Sequence, residues 1–176
     1  MKKKVLSIVA VVLVLCCAIG GTLAWLTDKT DSVVNTFTVG DINIELTESE
    51  NLNLKMVPGN TITKDPKVTV KDGSEACWLF VKVEKSANFD SFMTYEMADG
   101  WTALPDVTGV YYREVAATTA ATDFSVLKGD SVSVKDTVTK ADLNALTQNT
   151  FPTLTFTAYA VQKDNVADAA TAWSKL

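Results

Sequence analysis

Histidine is absent from all 176 residues. That excludes Ser-His-Asp and Cys-His catalysis, zinc sites built on imidazole, and a histidine pH switch. Arginine occurs once, as Arg113, within a balance of 16 basic and 21 acidic groups that leaves a net charge of −5. The balance argues against nucleic acid as a partner, because phosphate binding needs a basic stripe. Cysteine is scarce too. Cys16 and Cys17 fall in the first two dozen residues, and only Cys77 comes after them. One cysteine forms no internal disulfide, so the rest of the chain depends on packing. Cys77 stands in an alternating apolar run and reads as a small buried hydrophobe, the alternative being an intermolecular bridge or a reactive thiol.

The N-terminus differs in kind from the rest of the chain. Lys2, Lys3 and Lys4 precede an uncharged, mostly apolar run from Val5 to Ile19, which Gly20 and Gly21 end. This is the pattern of a secretory signal peptide. As a helix the run would reach about 22 Å, short of the roughly 30 Å hydrocarbon core. Cleavage is expected after Thr22-Leu23-Ala24, leaving Trp25 as the new N-terminus. The alternative is an uncleaved anchor: extended to Leu26 the run has 22 residues and just spans, with the lysines inside. Acylation fails on chemistry, because Leu15 stands before Cys16 where a small residue is needed. The membrane is therefore met only transiently, through the signal. The expected organisation is a signal peptide, 1–24, and a single secreted domain, 25–176. Removing the signal leaves 13 basic and 21 acidic groups, a net charge of −8. A chain of that size can bury about two-thirds of its unfolded surface.

The remainder is patterned as β structure, with 23 threonines in the whole chain. Asn35–Val39 and Asp41–Thr47 read as extended segments around Gly40, with Ile42, Ile44 and Leu46 on one face. Leu52, Leu54 and Met56 alternate up to a Pro58-Gly59 turn. Thr61–Lys64 and Lys67–Val70 form a strand region interrupted by Pro66, which predicts an edge strand or a bulge. Cys77–Lys85 is the strongest strand, apolar on both faces at its start and charged on one at its end, as a central strand emerging into solvent would be. Phe89, Phe92, Met93 and Met97 fit a short helix or packed loop. Trp101–Leu104, Val110–Val115, Asp123–Leu127, Ser131–Val138 and Thr153–Gln162 return to strand character. Thr139 is placed to cap one short helix and Asn165 another containing Ala169 and Trp173. About eight strands at intervals of roughly ten residues predict an all-β fold, a single β-sandwich of jelly-roll or Greek-key type with one to three short helices.

Several segments resemble a known family. Gly20–Asp28 looks like the signal-peptide end of exported proteins processed by a SipW-type signal peptidase. Asn35–Ile42 resembles the first strand pair of the TasA/camelysin-like family of Gram-positive bacteria. Met56–Lys64 resembles its Pro-Gly turn, and Thr157–Gln162 its last strand. The resemblance is dense over residues 1–85, thin over 86–152 and moderate beyond. It implies a secreted jelly-roll domain held in the cell wall or extracellular matrix. For the fibre-forming members it also implies that the mature N-terminal segment of one subunit completes the sheet of the next. Carried onto this chain, the donor is roughly Trp25–Val34, with Trp25, Leu26, Val33 and Val34 as apolar anchors. A head-to-tail contact of this kind does not close and so makes filaments. The alternative is that the same segment folds back as a first strand of its own domain.

Camelysin-type relatives are described as metalloproteases, yet the histidine ligands of such a site do not exist here. Oxygen ligands could hold calcium, but Asp28/Asp31, Asp130/Asp136 and Asp164/Asp168 are pairs rather than dense loops, and read as solvated carboxylates. No metal or cofactor is expected. Trp78 and Trp101 could line a carbohydrate platform, but in alternating strands they read as core. The expected function is structural: a subunit of surface or matrix assemblies that self-associates, not an enzyme. A monomeric exported module that recognises a wall or host ligand is the alternative.

Overall fold

Period-two alternation builds most of the molecule. The computed structural model describes residues 40–49 and 54–176. Among them run β1 (Ile44–Thr47), β2 (Thr61–Thr63), β3 (Lys67–Val70), β4 (Cys77–Lys85) and β5 (Met93–Thr94). Next in the chain come β6 (Thr102–Ala103), β7 (Val110–Val115), β8 (Thr122–Ser125), β9 (Ser131–Val134) and β10 (Leu154–Gln162). Three short helices, α1 (Phe89–Phe92), α2 (Lys140–Asn144) and α3 (Ala169–Trp173), complete the described elements with a 3-10 turn at Lys128–Asp130. Every strand pairing among them is antiparallel, in three sheets ordered β1-β3-β8, β10-β4-β7-β6 and β2-β9-β5. Val39–Leu176 forms one compact unit.

β4 is the central strand that its two apolar faces predict. Its first five residues are buried, while Glu84 and Lys85 are exposed. It pairs with β10 over nine residues, from Cys77 opposite Gln162 to Lys85 opposite Leu154. Cys77, Leu79, Val81 and Val83 face Val68 and Val70 of β3, with Ile42, Ile44 and Leu46 packed alongside. This closed layer makes the fold a β-sandwich. Each such fully buried aliphatic side chain contributes roughly 1.5–3 kcal/mol relative to exposure. On the opposite face of β4, Trp78 and Phe80 pack against Ala169 and Ala172 of α3.

Four expectations are corrected in whole or in part. Pro66 makes no bulge but a break between sheets: among the described strands β2 is the outer strand of one, the edge strand expected, and β3 is the middle of another. Backbone bonds carry the pairing across the break, Lys64 N to Asp130 O at 2.9 Å and Val126 N to Pro66 O at 2.9 Å. Of the alternating Leu52, Leu54 and Met56, the first lies outside the described residues and the other two are in no strand; the Pro58-Gly59 turn does form, closed by Asn60 N to Val57 O at 3.0 Å, with Gly59 at φ 75°. The alternation at Ser131–Val138 ends at Val134, because Lys135 N turns to Phe92 O and Val138 N to Lys135 O. Asn165 does not cap α3. It occupies a turn at φ 61°, and Asp168, in extended conformation, accepts from Thr171 N at 2.7 Å instead. Thr139 does cap α2.

Candidate functional site

Alternate residues of β2 and β9 point to one side of their sheet, so Ile62 and Val132, opposite each other in register, share a face. Met93 of β5 and Phe89 of α1, four residues apart, join them in a buried cluster. β10 enters beside this cluster but does not pair with it, since among the described strands β2 and β10 are each the outermost of their sheets. An apolar groove of about 610 Å³ lies in the gap. Ile62, Phe89, Met93 and Val132 make its floor, while Leu54, Leu143, Phe151 and Leu154 make its walls. Leu54 is 55% and Phe151 49% exposed, so the rim presents apolar side chains to solvent.

Local bonds fix the walls. A capping box holds the start of α2: Thr139 Oγ1 accepts from Asp142 N at 3.2 Å, and Asp142 accepts from Thr139 N at 2.8 Å. This sets Leu143 toward the groove, and the hydrogen bonds from Thr139 keep the Asp142 carboxyl below its ordinary range. The Phe151-Pro152 segment is tied by Asn88 Nδ2 to Thr150 O at 2.8 Å and Thr153 N to Ser86 Oγ at 2.9 Å. At the rim Lys64 pairs with Glu48 at 2.8 Å and lies over the Phe156 ring. The groove suits extended chain carrying apolar side chains, because open edges supply backbone groups and the floor supplies pockets.

Reactive groups lie elsewhere. Cys77 is fully buried and its thiol is pushed up to about 11 by burial, which makes it inert. Burial, and a hydrogen bond with Tyr111, raise the Tyr95 phenol. Trp78 and Trp101 are core, as expected, and their indoles donate to Val166 O at 3.4 Å and Ser125 O at 2.9 Å. Thr22, Ala24, Trp25, Leu26, Val33 and Val34 lie outside the described residues, as do Asp28, Asp31 and the segment 35–39. Phe151 and Leu143 were not singled out by sequence; a phenylalanine beside proline in a polar loop just before the last strand was the available signal.

Among the described residues no group of three or more His, Cys, Asp or Glu side chains could hold a metal. Nor is any described helix long and apolar enough to cross a membrane. Residues 1–82 match the family described as camelysin metallo-endopeptidase. The comparison with curated proteins and that with solved structures each gave no match. The metal that the family description implies finds no zinc-type site in these residues: the chain has no histidine, its Cys77 is sealed in the core, and Asp168 is engaged in capping. Over residues 1–82 the chain is similar to the TasA/camelysin-like family, whose members are exported, cell-surface or secreted proteins of Gram-positive bacteria.

Proposed function

We propose that the protein is a structural subunit of extracellular-matrix or cell-surface fibres. Its leader ends at Ala24, and the mature segment Trp25–Val34 of one copy lies in the apolar groove of the next. The observation that supports this reading is the placement of chain entry and groove at opposite ends of the sandwich. Asp41 O accepts from Glu75 N at 3.0 Å, so the chain enters beside the start of β4. The groove lies at the other end, where Leu154 pairs with Lys85. Nine residues of β4 separate the two, about 26 Å at the rise of a strand. Val34 precedes Gly40 by six residues and reaches at most about 20 Å from it. The anchors Val33 and Val34 thus fall short of their own groove but can enter a neighbour's. Head-to-tail repetition of that contact extends without closing.

The absence of histidine and the closed environment of Cys77 favour this structural role over proteolysis. The test is electron microscopy and size exclusion of the mature protein, with and without residues 25–34. Filaments that disappear on truncation are expected. A monodisperse monomer in both cases overturns the reading and favours an exported binding module. Mass spectrometry of the exported protein should give Trp25 as its first residue.

A further inference from the structure

The single arginine of the chain is placed unlike the described lysines that form ion pairs. Seven lysines pair with carboxylates among the described residues. Arg113, the better carboxylate ligand by geometry, makes no ion pair and no hydrogen bond to any described residue, and its Nε is buried without an acceptor. The reason lies in its register. Arg113 stands opposite Leu79, on the face that looks into the sandwich. Its guanidinium carbon lies 4.1 Å from the centre of the Phe124 ring and 5.3 Å from that of Trp101. Two aromatic faces hold the cation and offset part of its desolvation, but they accept none of its N–H groups in the plane. Burial accordingly depresses its basicity.

Beside the fork only a residue without a side chain fits. Gly100, at φ 86°, faces the guanidinium, and a Cβ there would stand 2.8 Å from Nη2. The position is also a seam. β8 is the outermost strand of one sheet. β6 pairs with β7 only through Tyr111 and Tyr112, so β7 has no outer neighbour from Arg113 to Val115 among the described strands. Arg113 is half-buried between β7 and β8 at this seam.

We propose that Arg113 anchors a carboxylate-binding site at this seam, with the guanidinium fork held between Phe124 and Trp101 beside Gly100. The site is independent of the groove. Its ligand is a carboxylate, delivered as a free organic acid or as an acidic side chain of a neighbouring protein. A two-donor fork in a partly dry cleft selects a planar oxyanion over a spherical one such as chloride.

Because the chain has one arginine, selective ¹⁵N-arginine labelling of the mature protein gives a single Nε–Hε signal. That signal would be monitored while sodium acetate, a capped tetraglutamate peptide, and sodium chloride at matched ionic strength are titrated in turn. A saturable downfield shift with acetate or peptide, and none with chloride, is the expected result. Peptide binding at least about tenfold tighter than acetate assigns the ligand to an acidic segment; comparable binding assigns it to a free acid. A signal unmoved to about 100 mM of both, or moved equally by chloride, overturns the proposal. Arg113→Lys keeps the charge but loses the fork, and the same titrations followed by intrinsic tryptophan fluorescence, on wild type and on a variant of native circular dichroism, should show binding weakened about tenfold or more.

Discussion

Leu79 and Leu54 are the same side chain in two settings. Leu79 is wholly enclosed between β4 and β3, whereas Leu54 is 55% exposed at the rim of the groove. The closed layer is sealed because β4, paired on both sides, lies over a complete sheet. The groove stays open because β2 and β10 are both outer strands with nothing described between them. Apolar area in the first place stabilises the monomer, while in the second it is left for an occupant. Substitutions should therefore divide, the closed layer governing folding and the groove governing association.

The largest effect belongs to the closed layer. Leu79→Ala removes a fully buried side chain from between two sheets and should lower stability by about 2–5 kcal/mol in urea unfolding. A loss below about 1 kcal/mol would mean that the layer can collapse around the gap, and the contrast with the groove would fail. Next comes the outer face of the same sheet. Trp173 meets Phe80 at 5.3 Å and Tyr159 at 5.4 Å between ring centres. Aromatic pairs contribute about 0.5–1.5 kcal/mol each, so Trp173→Ala should cost about 1–3 kcal/mol, read as a lower melting temperature. At the groove, Phe151→Asp adds a charge where the side chain is already 49% exposed. Stability should change by no more than about 0.5 kcal/mol, while the filaments expected of the mature protein are lost. Unfolding of this variant together with loss of filaments would show that the groove wall belongs to the folding core after all.

The sequence made the closed layer legible and the groove obscure, for a physical reason. Period-two alternation is a local property, so Cys77–Lys85 and Leu154–Gln162 announce both their extended conformation and their inward faces. Which strands stand at sheet edges is not local. Nothing in Thr61–Thr63 says that β2 ends its sheet, and nothing in Phe151-Pro152 says that it faces Ile62 across a gap. The two-residue β5 is too short to alternate and exists only because β9 lies beside it. Leu54 and Met56 alternate with Lys55 yet lie in no strand, since pattern alone supplies no partner. Arg113 posed the same difficulty: its neighbours Gly100, Trp101 and Phe124 come from two other segments of chain.

Acid offers the finest test of the contrast, because a carboxylate caps one helix in each region. Asp142 closes the capping box of α2 beside the groove, and Asp168 caps α3 over the outer face of β4. Both carboxyls lie below their ordinary 3.8, Asp142 through its bonds with Thr139 and Asp168 through those with Thr171. A folded-state value lower than the unfolded one gives stability that is present above 3.8 and is lost as pH falls through the folded value. Asparagine keeps an accepting oxygen at either position but does not titrate. Asp142→Asn and Asp168→Asn should therefore leave melting near neutrality almost unchanged and flatten its decline between about pH 5 and about pH 2. The two should differ in what the acid exposes. In the protein with Asp168→Asn the groove end still loosens first, seen as dye binding to apolar surface ahead of the main unfolding step; with Asp142→Asn that early phase should vanish. Equal curves for both variants would show that groove and closed layer unfold as one.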